Sequence, residues 1–322
     1  MRLITLKKEI IRDYETDGEL TKFKRKMISL MAQVFWMECD IGKKFHEYME
    51  KNRPNINELM HDFDEGSKDE FNQFFTDLEY MKNHTEFESV KYLMRNKEKI
   101  LSFIDLSESL KNQYFLPVEV QGDVSVFKHK HGLKYLPLSV LNSLRGKDFL
   151  DCGGFYGDSA LMFSRDYQPK SIYSFEPDPE NRGVLLETIK HHDLKNVVPI
   201  SLCVGEKCGK VNFYNMGPFS YVPEGEGMSV MEMTTVDEFV AERNLNVGVI
   251  KIDIEGYEME VLEGARKTIL TQKPVLLLGI YHNPREFFEA KHFVLELKPD
   301  YNFKFKILSD VRPIAEAYLI AW

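Results

Sequence analysis

The stretch Phe149-Leu150-Asp151-Cys152-Gly153-Gly154-Phe155-Tyr156-Gly157-Asp158-Ser159 constrains this chain more than any other part of it. An apolar run ends in an acid, turns through glycines and opens a helix. Such a turn brings backbone N–H groups at a helix N-terminus close to a ligand. A second apolar run, Ser171 to Phe175, also ends in an acid, Glu176, followed by Pro177, Asp178 and Pro179. A carboxylate at that strand end suits the two hydroxyls of a ribose. Glu176 is also a candidate helix cap, but Asp178, standing before a proline, is the better one, and both roles can hold together. The pattern predicts a nucleoside cofactor at the carboxyl edge of a parallel sheet.

A dinucleotide fingerprint places glycines at G-x-G-x-x-G, and counting from Gly153 the second and third slots hold Phe155 and Asp158. The remaining pattern, D-x-G-x-x-x-G, carries an acid that repels a pyrophosphate and can accept from the ammonium of a methionine-like tail. S-adenosylmethionine (SAM) therefore fits better than NAD. The expected cofactor contacts are Asp151, Gly153, Gly154, Phe155, Gly157, Asp158 and Ser159 in the turn, with Glu176 and Pro177 after the second strand.

Further pieces follow in order: Leu202-Cys203-Val204-Gly205, Thr234-Thr235-Val236-Asp237, Lys251-Ile252-Asp253-Ile254-Glu255-Gly256-Tyr257-Glu258, Leu262-Glu263-Gly264-Ala265 and Ile280-Tyr281-His282-Asn283-Pro284. With the Asp151 turn and Phe175–Asp178, they make the segment from about residue 118 to 322 resemble the FkbM family of class I SAM-dependent methyltransferases. The family commonly has Ala-Asn where this chain has Gly154-Phe155. The resemblance implies an α/β class I methyltransferase (Rossmann-like) fold, a doubly wound, mostly parallel sheet with an antiparallel C-terminal strand. It implies that Cys203 and Val204 border the adenine, that Asp253 lies at the cofactor, and that a hydroxyl of a sugar, glycan or secondary metabolite is methylated. As a local motif, Asp253 and Glu255 read equally as a helix-entry pair before Gly256; the resemblance favours function. His282, at a strand end, is the expected general base, with Asp253 and Glu255 positioning the acceptor or holding a divalent metal with it. A loop histidine held by hydrogen bonds is the structural alternative. No metal is predicted.

Core strands are expected at 147–151, 171–176, 197–203, 247–253 and 274–281, with two more at 303–307 and 317–322, the last two close enough to pair antiparallel. Val118 to Phe127 alternates apolar and polar around Gly122-Asp123, which predicts a leading hairpin. His129 and His131 beyond it have metal-ligand spacing but no third ligand. Residues 1–117 read as a helical accessory region. One stripe is Met27, Leu30, Met31, Val34 and Phe35; another is Phe71, Phe74, Phe75, Leu78 and Met81, expected as core. Capping boxes are expected at Ser67-x-x-Glu70 and Thr85-x-x-Glu88. The stripes predict a region packed on the methyltransferase core, either as an acceptor platform or as a homo-oligomer surface. The glycine- and proline-bearing stretch from Asn215 to Met233 is expected as a loop over the acceptor.

A net charge of −9 argues against a nucleic-acid partner, the basic run Lys22, Lys24, Arg25 and Lys26 being read as a solvated helix face. Four scattered cysteines suggest neither a disulfide framework nor a zinc site. With no apolar run approaching a bilayer span, no transmembrane segment and a cytoplasmic location are expected. An NAD-dependent oxidoreductase and a non-catalytic SAM-binding or scaffold protein remain as competing readings.

Overall fold

The computed structural model describes residues 41–82, 97–114, 124–214, 222, 229–309, 311 and 314–322. The Met27–Phe35 stripe, the basic run, the Thr85 capping box and most of the stretch from Asn215 to Met228 lie outside them. In chain order the helices before the sheet are α1 (41–52), α2 (Ile56–Met60), α3 (Glu65–Lys82), α4 (Lys97–Tyr114) and α5 (Leu138–Ser143). There follow β1 (Asp148–Cys152), α6 (Asp158–Tyr167), β2 (Ser171–Phe175), α7 (Pro179–His191), β3 (Val197–Ile200), β4 (Cys203–Val204), β5 (Gly209–Phe213) and β6 (Ser229–Thr234). The remainder is α8 (Val236–Arg243), β7 (Val247–Ile252), α9 (Glu258–Glu263), α10 (Arg266–Gln272), β8 (Val275–Gly279), α11 (Pro284–Leu297), β9 (Phe303–Ile307) and β10 (Ala317–Ala321).

Seven strands form one sheet in the order β3-β2-β1-β7-β8-β10-β9. All neighbours from β3 to β8 pair parallel, and β10 runs against both β8 and β9. β1, β7 and β8 are buried along their whole length, as parallel strands covered on both faces must be. From β1 the chain winds outward to β2 and β3, then returns to place β7 on the other side of β1. The loops after β1 and β7 therefore leave their strands in opposite directions and open a crevice between them.

Two expectations fail here. Val124–Lys128, read as the second arm of a hairpin, winds as one π-helical turn, and Lys130–Tyr135 follows as a 3-10 segment; residues 118–123 lie outside the described residues. His129 and His131 thus share no strand: His129 meets Tyr135, and the buried His131 reaches Tyr318 and Ser159. The expected third strand is also split. β3 ends at Ile200, and Cys203–Val204 joins β5 and β6 in a separate three-stranded sheet. β6 itself occupies the end of the stretch read as loop.

The second aromatic stripe packs inward. Phe74, fully buried, stacks on Phe287 of α11 at 4.6 Å between ring centroids, and Phe71 meets Phe305 of β9 edge-on at 5.1 Å. Phe45 of α1 closes on Phe287 at 5.3 Å. The expected Ser67–Glu70 box does not form: Asp64 caps α3 by accepting from the Ser67 N–H, while Glu70 instead pairs with Lys306 and accepts from the Ile307 N–H at 2.8 Å. The carboxylate satisfies an edge-strand donor, tying α3 to β9. Phe74→Ala should therefore cost ~3–5 kcal/mol and leave one cooperative urea transition by circular dichroism. A separate early transition would show that α3 unfolds independently of the sheet.

Candidate functional site

The turn after β1 is held from three sides. Lys251 of β7 donates to the Gly153 carbonyl at 2.7 Å and lies 3.4 Å from Asp151 Oδ1; both side chains are buried. Ser174 Oγ donates to Asp151 Oδ2 at 2.8 Å. The N–H groups of Gly153 and Gly154 donate to the Phe175 carbonyl, that of Phe155 to Glu176 Oε2 at 2.8 Å, and that of Gly157 to the Gly154 carbonyl. A Cβ on Gly153, whose φ is +91°, would fall on the Asp253 carbonyl oxygen, and one on Gly154 would strike Ser174 Oγ. Phe155 adopts φ +45°, an uncommon conformation for a side chain of that size, with its ring stacked on Tyr156 at 3.7 Å.

Asp151 thus lies beneath the turn. Burial raises its carboxyl above the ordinary range against the opposing pull of Lys251. Burial works against the Lys251 charge in turn, but Asp151, Asp253 and Asp158 outweigh it and raise the ammonium pKa. Asp158 opens α6, accepts from the Ser159 N–H, and is pushed by burial up to about 7. Ser159 meets His131. Glu176 accepts from Phe155 and, on Oε1, from the Asp178 N–H at 2.9 Å; burial pushes it up to about 7. Asp178 caps α7 through the Glu180 and Asn181 N–H groups, as its position before Pro179 predicts. The Pro177 carbonyl accepts from Arg182. Cys203 and Val204 are buried in the small sheet, and the Glu176 charge acts on Cys203.

Across the crevice, the loop after β7 carries Asp253 and Glu255, α9 opens on Glu258, and the loop after β8 carries His282. His282 Nε2 lies 3.5 Å from Asp253 Oδ1 and 3.8 Å from Glu255 Oε1; Nδ1 lies 3.1 Å from Glu258 Oε1 and 3.5 Å from Glu286 Oε1. Burial alone would lower the imidazole pKa, yet Glu258 and Glu255 hold it well above its usual value. Glu258, whose own burial penalty His282 overcomes, is lowered to about 2. Burial and the Glu258 charge raise Glu286 well above the carboxylate range. Asp253 accepts from Tyr318 at 2.6 Å and from Tyr281 at 3.3 Å. Asn283 joins the two loops by donating to the Gly256 carbonyl at 3.0 Å, while forming a capping box with Glu286 at the start of α11.

The crevice thus brings the turn, Glu176, Asp253, Glu255 and His282 to one edge of the sheet. Lys251, Ser174, Glu258, Glu286 and Tyr318 belong to the same arrangement and were not expected there. Lys251 had a sequence signal: a lone cation inside the apolar run Val247–Ile252 demands a buried partner. Replacing it with Met strands the Asp151 carboxylate, at an expected cost of ~3–5 kcal/mol in urea unfolding near neutral pH. Asp151 then binds its proton more tightly in the folded than in the unfolded chain, so the deficit should shrink as pH falls. A deficit constant from about pH 8 to about pH 5 would exclude Asp151 as the stranded charge.

Residues 151–305 match the family model described as the methyltransferase FkbM domain. The fold is similar to the crystal structure of a methyltransferase FkbM from Methylobacillus flagellatus KT, with a TM-score of 0.59 and 19% identity over 87% of this chain. This chain spans 61% of that one's length. Looser likenesses are an rRNA methylase from Streptococcus thermophilus (TM-score 0.36, 11% identity, 56% of this chain and 89% of that one) and Aeropyrum pernix fibrillarin, solved with natively bound S-adenosyl-L-methionine (0.35, 15%, 57% and 74%). No curated protein matches the sequence. The part of the chain that matches the methyltransferase FkbM domain, residues 151–305, lies within a seven-stranded, mostly parallel sheet whose C-terminal strand runs antiparallel.

Proposed function

We propose that this chain is a SAM-dependent methyltransferase acting on a hydroxyl of a sugar, glycan or secondary metabolite. The observation that carries the reading is Glu176, pinned by two backbone N–H groups at the edge of a turn too tight to admit a Cβ. Four amides of that turn are already spent on holding it, so it offers little to a diphosphate, whereas a carboxylate acceptor suits ribose hydroxyls. That favours SAM over NAD. Asp151, Gly153, Gly154, Phe155, Gly157, Asp158 and Ser159 are proposed to shape the cofactor cleft from below. Glu176 and Pro177 would border its ribose, Cys203 and Val204 its adenine, and Asp253 its methyl end.

Bound SAM supplies an electrophilic methyl on a sulfonium; the chain's own part is alignment and removal of the acceptor's proton. His282, Asp253 and Glu255 are the proposed acceptor-side groups. Glu258 and Glu255 hold the His282 pKa well above its usual value, which favours the charged ring and weakens it as the expected general base. Glu255, 37% exposed and beside the ring, is the better-placed acceptor for the hydroxyl proton, with Asp253 and His282 positioning the substrate. Residues 1–117 are proposed as a helical accessory region, serving as an acceptor platform or a homo-oligomer surface.

Calorimetry should show SAM and S-adenosylhomocysteine binding and no binding of NAD. Glu176→Ala should lose ~1.5–3 kcal/mol, about one to two decades of affinity. Unchanged affinity in that variant would remove Glu176 from the site. Ribose hydroxyls favour the ionised Glu176, so binding should release a proton below about pH 7, and affinity should fall up to about tenfold per unit as pH drops further. Equal apparent enthalpies in buffers of different ionisation heat at about pH 6.5 would contradict this linkage.

A further inference from the structure

The second cluster in the crevice has a chemistry that the methyl-transfer reading does not consume. We propose that Asp253, Glu258 and His282 bind one divalent cation of the Mn2+ class. One ligand atom from each residue lies within 4.8 Å of the others. Donors about 2.0–2.2 Å from a shared ion stand at most roughly 4.4 Å apart, so small side-chain rotations close the set.

Acidic clusters are common, and proximity alone would carry little. The independent observation is His282. Its side chain is 8% exposed, and neither ring nitrogen has a hydrogen bond of ordinary geometry, although carboxylate oxygens stand close to both. The nearest, Glu258 Oε1, lies 3.1 Å from Nδ1 and draws on the ring electrostatically. Glu258 Oε2 is likewise buried and without a partner. Buried polar atoms are nearly always satisfied, and three unsatisfied ones grouped together point to a ligand among them.

The surroundings are those of a metal site. Asp253 accepts from Tyr318 and Tyr281, and Glu258 Oε1 accepts from the Ile254 N–H at 2.9 Å, so both carboxylates are oriented by partners outside the ligand set. Asn283 locks together the two loops that supply the ligands. Lys251, the nearby buried cation, is already engaged by Asp151 and the Gly153 carbonyl. Two carboxylates with one imidazole and no thiolate select a borderline-hard ion, between the all-oxygen sites of magnesium and the sulfur-rich sites of softer metals. That the ion would lie beside the acceptor hydroxyl rests on the methyltransferase reading; its binding does not.

The test is titration of the full chain with Mn2+ in the absence of cofactor and acceptor, reading free ion by electron paramagnetic resonance, with Zn2+ as competitor. One Mn2+ per chain is expected. Glu258→Gln and His282→Ala should weaken it by at least the ~10- to 100-fold that loss of an outer-shell partner costs. The exposed Glu263→Gln should leave it unchanged. SAM affinity by calorimetry, retained in each variant, shows that the variant is folded. Should Glu258→Gln fail to fold, Tyr318→Phe provides the second arm, with ~10-fold weaker Mn2+ expected. Failure of the wild-type chain to take up Mn2+ or Zn2+, or wild-type uptake by Glu258→Gln, overturns the proposal. Stoichiometric Mn2+ without SAM binding supports the cation site and overturns the methyltransferase reading; SAM binding without metal does the reverse.

Discussion

The contact on which the rest of the crevice depends is that of Lys251 with Asp151 and the Gly153 carbonyl. β1 and β7 pair along their backbones, but backbone pairing does not fix how the loops beyond the strands approach each other. A buried ammonium does. It lies between the strand-end carboxylate of β1 and the first carbonyl of the turn, and neither charge tolerates the apolar interior alone. Gly153 then comes so close to the Asp253 carbonyl that no side chain fits between them. The two loops that diverge at this point of the sheet are thus held to a fixed separation by one ion pair and one missing Cβ.

The parallel half of the sheet was legible because it is written in continuous apolar runs. Each core strand was placed to within a few residues, and the antiparallel pair at the end followed from the short spacing between Phe303–Ile307 and Ala317–Ala321. What the sequence hid are the elements whose conformation is imposed from outside. Val124–Lys128 alternates like a strand, yet its Val126 and Phe127 are buried in a π-helical turn. β5 and β6 are short and mostly exposed or half-exposed, so their pattern carries little apolar signal. Ser67 and Glu70 have capping-box spacing, but Asp64 stands one turn earlier and takes the cap, freeing Glu70 for the edge of β9.

The site divides in the same way. The Gly153 turn, Glu176 after β2 and the Asp178 cap stand where local spacing places them. Residues that act across the fold have no such spacing. Glu258 reads as an ordinary acid in the first turn of α9, and only the fold sets it 3.1 Å from His282. Tyr318 reads as one more apolar position of a buried strand, yet its hydroxyl donates to Asp253. His131, read with His129 as a possible ligand pair, instead lies under Tyr318 and Ser159, where burial pushes it down to about 3. A neutral imidazole fits there as a hydrogen-bonding spacer, linking the segment before β1 to the strand that supports Asp253.

Charge is distributed unequally across the crevice, and this separates its two sides. On the turn side, burial raises Asp151, Asp158 and Glu176, and of these Asp151 has Lys251 at ion-pair distance. On the far side, Asp253, Glu255, Glu258 and Glu286 surround the single imidazole of His282. Of these, Glu258 and Glu286 are buried, and carboxylates so crowded and so little hydrated persist only with protons or cations among them. Burial and the Glu258 charge raise Glu286, and Glu258 and Glu255 raise His282 against burial, so both hold their protons more tightly than usual. The sulfonium of the proposed cofactor and the proposed divalent ion would both draw on this surplus of negative charge. The surplus is a property of the Asp253–Glu258 loop and its partner His282, whatever acceptor the loops beyond them select.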